Sequence, residues 1–265
     1  MNSVTRKIQS FAAFRQSVLD EEWKHIDGVR TELERPIIAE MDAIFDDQRR
    51  EAVEALAAFR SAEFETRDFF LTLDRIFNVG KWFERTWARI KRFVQAGIFG
   101  GYDAGAIQTG IDLPDLTSFD PSVRRYLETV SVKTKSITQT TAADMAALID
   151  EALRGGWSID KTADEISAKF DEYKGYRSKL IAQTNITGAF GKGQNEAFLR
   201  AGLRKRWLSQ RDGRVRPTHT AADGQEVQAN EKFKVGTANL NFPGDPESND
   251  LSEIMGCRCS MLPVA

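Results

Sequence analysis

Upstream of Gly202 the apolar residues recur at helical spacing. From Pro36 onward, Ile38, Met41, Phe45, Ala52, Leu56 and Phe59 fall on one face, while Asp46, Asp47, Arg49, Arg50 and Glu54 occupy the rest. Proline suits a first helical turn, where its missing N–H has no helical partner. A helix is therefore predicted to open at Pro36. A second stripe runs through Val79, Phe83, Trp87, Ile90, Val94 and Ile98, and Gly97, Gly100 and Gly101 are expected to end it. Between the stripes lie Phe64, Phe69, Phe70 and Phe77. They read as bundle core, or as a docking surface for a large partner. The preceding arm, with Phe11, Phe14, Val18 and Trp23, reads as a helix or a mobile segment, and its His25 as solvated.

Residues 102–121 carry Gly105, Gly110, Pro114 and Pro121 and read as a connector. Helix resumes at Ser122 and crosses the threonine-rich stretch 134–141 before Gly155-Gly156 stops it. Ser158 is placed to cap the next helix, whose apolar residues Ile159, Ala163, Ile166 and Phe170 step four, three, four. The helix predicted over 176–200 contains Gly188, Gly191 and Gly193. Each glycine costs about 1 kcal/mol against alanine. So many of them imply close backbone packing or a break near Gly191. Gly202 is a helix stop.

Beyond Gly202 the period changes. Arg206-Trp207-Leu208 reads as a short strand, Asp212-Gly213 and Asp223-Gly224 as turns of hairpin type, residues 231–235 as another strand, and residues 239–250 as turn throughout. No element is expected after Cys259. The predicted fold is mainly α, a helical bundle followed by a small α+β C-terminal module with a two- to four-stranded antiparallel sheet. Boundaries are expected at 1–110, 111–203 and 204–265.

Length and charge narrow the class without naming a function. The 265 residues suffice for a real core, and the net charge of −2 says little about partners. No apolar run resembles a signal peptide or approaches a membrane span of about 18 residues, so a cytoplasmic site of synthesis and no membrane partner are expected. GxxxxGK[ST], HExxH and GxSxG are all absent from the sequence, which removes the commoner NTPase, zinc-protease and serine-hydrolase readings.

The candidate chemistry sits in the module. His219, Cys257 and Cys259 fit three readings. They are ligands of a structural zinc, with Asp212, Asp223 or Asp245 as the fourth. They are buried thiols and a hydrogen-bonded histidine without metal. Or they are a cysteine nucleophile with a histidine base. In the first two readings the three side chains are expected to be close in space. Arg204, Lys205, Arg206, Arg211, Arg214 and Arg216, interleaved with Trp207, form a basic stretch. It could bind double-stranded DNA nonspecifically, or be a solvated or salt-bridged face.

Trp207, Asp212-Gly213-Arg214-Val215-Arg216-Pro217-x-His219, Gly224, Phe233, Pro243-Gly244 and Cys257-Arg258-Cys259 together resemble the minor head proteins of tailed phages, the Mu F-like head morphogenesis family. Upstream, Gly156-Trp157-Ser158, Ile166, Phe170 and residues 179–185 fit the same family, and the resemblance covers roughly 140–264. Many members read Ile-Ala-Arg-Thr-Glu where this chain has Gln183 and Asn185. The resemblance implies a structural, non-enzymatic phage protein in the virion, at the portal vertex or capsid interior, which assists head assembly and genome packaging or delivery. The implied partners are the portal protein and the major capsid or scaffold protein. The alternatives are a metal- or cysteine-dependent enzyme centred on His219, Cys257 and Cys259, or a nucleic-acid-binding accessory protein.

Overall fold

A computed structural model describes residues 3–58, 69–210 and 212–265, with side chains over 18–58, 73–210 and 212–265. Phe59, Phe64 and Arg211, and the side chains of Phe11, Phe14, Phe69 and Phe70, lie outside the described residues. The described elements are, in order, α1 (Ser3–Ala57), α2 (Phe69–Ile76), α3 (Val79–Thr109), α4 (Pro121–Arg154), α5 (Ile159–Tyr173), α6 (Tyr176–Ala201), β1 (Arg204–Leu208), α7 (Pro217–Ala222), β2 (Glu226–Gln228), β3 (Phe233–Val235), β4 (Ala238–Leu240), α8 (Leu251–Ile254) and β5 (Ser260–Val264). The protein is mainly α with a small antiparallel sheet region at its C-terminal end.

Two compact units form, and they do not follow chain order. One takes Met1–Glu34, Val94–Val123 and Gln183–Ala265; the other takes Arg35–Phe93 and Arg124–Ala182. The sequence-based cuts at 110 and 203 both fall inside the first unit.

In the second unit, the buried face of α1 is Ile37, Met41, Ile44, Phe45, Ala52 and Leu56. Helix α1 does not open at Pro36 but runs through it. An interior proline removes one helical hydrogen bond, and the apolar stripe that continues on both sides of it holds the helix together. Phe77 is buried and stacks on Trp82, with ring centroids 6.3 Å apart, so the aromatic described there is core and not docking surface. Arg89 binds both Glu40 and Asp47, and Lys81 and Arg85 share Glu51. Tyr173 packs edge-on against Phe170 and donates to Asp144 at 2.6 Å.

Threonines do not break α4, because their hydroxyls donate to carbonyls four residues back: Thr134 to Val130, Thr140 to Ser136 and Thr141 to Ile137. Ser158 caps α5 as its spacing predicted, accepting from the Lys161 N–H at 3.1 Å. Ser158→Ala is expected to cost about 1 kcal/mol, read as a lowered urea midpoint at unchanged m-value.

In the first unit, the glycines of α3 and α6 end neither helix. They let two backbones touch. A Cβ on Gly101 would sit 2.1 Å from the Phe190 carbonyl oxygen, and one on Gly193 2.0 Å from that of Ile98. Ala189 and Ala197 extend the seam toward Gly97 and Gly105. The same packing carries α3 to Thr109, so the connector begins at Gly110 and not at Tyr102. A cluster of Trp23, Ile26, Phe190 and Leu208, with Leu33 and Leu262 against it, joins α1, α6, β1 and β5 into one core.

The sheet order is β2-β1-β5, all antiparallel, and β3 pairs with β4. Asp212-Gly213 closes no hairpin. Helix α7 intervenes before the next strand, β2, which pairs back with β1 across that long connection, and Asp212 receives Arg214 and Arg258. The chain end forms β5, a strand that the short tail after Cys259 did not predict. It pairs with β1 along its whole length, from Arg204↔Val264 to Leu208↔Ser260. Among the described residues, no helix is long and apolar enough to cross a membrane.

Candidate functional site

Three short elements converge beside the buried end of β1. Pro217 starts α7, and His219 lies within that helix rather than in a loop. Trp207 of β1 is fully buried and meets the His219 ring edge-on, with centroids 5.6 Å apart. It meets Phe233 of β3 similarly at 5.3 Å. Register places Leu208 opposite Ser260, so the segment entering β5 passes directly alongside the chain leaving β1. That segment is Cys257-Arg258-Cys259.

The structure brings His219, Cys257 and Cys259 together. Their ligand atoms lie within 4.8 Å of one another, and all three residues are buried. His219 Nδ1 is 3.3 Å from Cys259 Sγ and 3.6 Å from Cys257 Sγ. On its other side, His219 Nε2 is 3.0 Å from Glu253 Oε2 of α8. Thr218 Oγ1 donates to that same oxygen at 2.8 Å and fixes it.

The sulfur-bearing loop is anchored from two helices. Thr187 of α6 donates to the Cys257 carbonyl at 2.7 Å, and Thr184 accepts from the Gly256 N–H at 3.0 Å. Arg30 of α1, itself 1% exposed, donates to the carbonyls of Cys259 and Arg258, each at 2.7 Å.

Electrostatics divide the two thiols. A hydrogen bond from Cys259 holds the Cys257 thiol well below its usual range, and His219 adds to this against the pull of burial. Its neighbour Cys257, together with burial, pushes the Cys259 thiol well up. Burial works to lower the His219 pKa, but the Cys257 sulfur and the Glu253 carboxylate together turn the net shift upward. The two thiols are therefore unequal, and the Cys257 sulfur beside His219 is the one that gives up its proton more readily. That arrangement serves either a soft-metal site or a nucleophile.

None of the aspartates named as a fourth ligand belongs to the cluster found among the described residues. Asp212 binds Arg214 and Arg258, which together hold it near pKa 2 against burial. Asp223 accepts from the Ser209 N–H, and Asp245 from Asn241 and the Glu247 N–H. A cavity of about 130 Å³ instead adjoins the cluster, lined among others by Gln210, Arg214, Arg216 and the three ligand residues.

The basic stretch does not form one face. Lys205 is fully buried, and its ammonium donates to Asn195 Oδ1, the Ala229 carbonyl and the Asn241 carbonyl. It has nothing left to offer a phosphate. Arg204 and Arg206 both pair with Glu226, Arg214 pairs with Asp212, and Arg216 donates to the Met255 carbonyl.

Sequence reasoning missed Glu253, Gln210, Thr187 and Arg30. Arg30 carried a signal, since it occupies a core position in the stripe Trp23, Ile26, Arg30, Leu33, Ile37. A cation at such a position implies buried acceptors. Glu253 carried none, because its partner is brought up by folding.

Residues 143–262 match the family described as Phage Mu protein F like protein. No match was found among curated proteins or among solved structures.

Proposed function

From a C-terminal region of the Phage Mu protein F like family, we propose that this protein is a minor head component of a tailed phage that serves head morphogenesis. The match over residues 143–262 is the observation that carries this reading. The role is structural. The protein attaches to the portal or the inner capsid in few copies, and it assists genome packaging or delivery. Major capsid or scaffold protein are its further contacts. Contact with double-stranded DNA falls to the outward guanidiniums of Arg204 and Arg214, whose carboxylate partners and small number make such binding weak and only shallowly salt-dependent.

Truncation at Arg204 is not a clean test, because Leu208 and Leu262 share one core cluster with Trp23 and Ile26. The full chain is the right probe. Heads purified from a phage carrying an affinity-tagged full chain are expected to contain it in few copies, chemically crosslinked to the portal protein. Its absence from heads that are otherwise complete would overturn the assignment.

A further inference from the structure

We propose that His219 Nδ1, Cys257 Sγ and Cys259 Sγ bind one zinc ion, with the fourth coordination position turned to the adjoining cavity. The reading is independent of the role in head assembly.

The first support is convergence. One ring nitrogen faces two sulfurs at 3.3 and 3.6 Å. Nδ1 has a single lone pair or a single hydrogen, and a directed hydrogen bond serves one of the two sulfurs. A central ion serves all three atoms at once. Tetrahedral bonds of about 2.3 Å to sulfur and about 2.0 Å to nitrogen put ligand atoms roughly 3.5–3.8 Å apart. The two nitrogen–sulfur separations of 3.3 and 3.6 Å bracket the spacing of about 3.5 Å for a nitrogen–sulfur pair, and all three ligand atoms lie within 4.8 Å of one another, so only small shifts are needed to close the set around an ion.

The second support lies on the far side of the ring. Glu253 accepts from Nε2–H at 3.0 Å, so the neutral tautomer has its lone pair on Nδ1, facing the sulfurs. A carboxylate behind a histidine ligand orients the ring and raises its basicity. Thr218 holds Glu253 in place. A histidine that merely filled space would need no such support.

The third support is the rigidity of the sulfur loop, whose carbonyls are taken by Arg30 and Thr187. Both thiols are thereby kept on one side of the loop. The donor set of two thiolates and one imidazole is soft and suits zinc rather than magnesium or calcium.

The fourth position follows from the lining of the cavity. All three ligand residues contribute to its wall, and so does Gln210. Gln210 is 6% exposed, and its buried Nε2 has no hydrogen-bond partner. A carboxamide so placed can hold a water or a small anion against the metal. Three protein ligands with one position open to such a space is the arrangement of a zinc that exchanges its fourth ligand, whereas a purely structural site uses four protein ligands.

The test uses the full chain. After equilibration with micromolar zinc and desalting, elemental analysis is expected to find about one zinc per chain. Cobalt substituted for it should show tetrahedral ligand-field bands and thiolate-to-cobalt charge transfer. Cys257→Ser with Cys259→Ser should abolish both. If that double variant fails to fold, Glu253→Gln keeps all three ligands and is expected to bind zinc about 10- to 100-fold more weakly at unchanged stoichiometry. Adding cyanide or azide to the cobalt form should shift its visible bands if the fourth position exchanges. A folded wild-type chain without zinc, an octahedral cobalt spectrum lacking charge transfer, or rapid alkylation of Cys257 in the presence of zinc would each overturn the site. A cobalt spectrum indifferent to both anions would overturn the open position.

Discussion

Gly193→Ala is expected to abolish the packing of α3 against α6 and to unfold the first unit under conditions where the wild type is stable. The added Cβ would lie 2.0 Å from the Ile98 carbonyl oxygen and 2.4 Å from the Tyr102 nitrogen. Both are backbone atoms of α3, so no rotamer change relieves the clash. The helices must separate along the seam where Gly101 faces Phe190. Overpacking in a core costs about 1–3 kcal/mol when side chains can yield, and a backbone clash is expected at or above the top of that range. Alanine is also the better helix former by about 1 kcal/mol, so helix propensity pulls the other way and is the smaller effect. Urea unfolding followed by far-ultraviolet circular dichroism reads the result. A midpoint equal to or above wild type would show that the seam does not limit stability. Gly28→Ala is the control. No atom lies within 4 Å of its Cβ, and it should hold or gain stability.

Lys205→Met is expected to cost about 3 kcal/mol at neutral pH. The substitution keeps the apolar stem of a fully buried side chain but strips donors from Asn195 Oδ1 at 2.8 Å, the Ala229 carbonyl at 2.9 Å and the Asn241 carbonyl at 2.6 Å. Each buried oxygen left unpaired costs about 1–3 kcal/mol. Relief from burying an ammonium offsets part of the sum. Titration separates the two contributions. Burial lowers the Lys205 pKa to about 8 from an ordinary 10.5, against the opposing carboxylates of Asp245 and Glu231. Between those values the unfolded chain binds more protons than the folded one, so this group's contribution to stability rises with pH. The gap in melting temperature between wild type and Lys205→Met should therefore widen from pH 8 to pH 10. A gap that stays constant would place the ammonium in a polar enough setting to keep its ordinary pKa.

Lys205 also shows where reading by residue type fails. In the sequence it stands between two arginines, and six cations in thirteen positions suggest a phosphate-binding surface. Strand geometry sends alternate side chains to opposite faces. Arg204 and Arg206 of β1 go to Glu226 on one side, and Lys205 goes inward with Trp207. The alternation was present in the sequence. What was missing was the set of oxygens waiting on the inner face, one of which lies 36 residues away. Phe77 is the simpler case, since an aromatic between two helical stripes can cover core or partner, and burial decided it.

Local physics was legible in the chain. The helical period, the Ser158 cap and the stop at Gly202 each depend on a few neighbouring residues, and each is present in the structure, whereas the helix ends expected at Pro36 and at Gly97 to Gly101 are not, and β4 takes Asn239 and Leu240 from a stretch that read as turn throughout. The pairing of one histidine with a Cys-x-Cys was also legible, because few residues in a small module can meet and those three stood out by type. What the sequence left open was every choice that depends on distant partners. Glycine lowers helix propensity in isolation, yet here its missing Cβ admits another backbone. Arg30 reaches the Cys259 carbonyl across 229 positions of chain. β5 exists because β1 presents it an unpaired edge. Glu253, not an aspartate, stands beside His219 because α7 and α8 are folded against one another. Such contacts are set by the free energy of the packed whole, and no window of sequence short enough to read by pattern contains both halves of them.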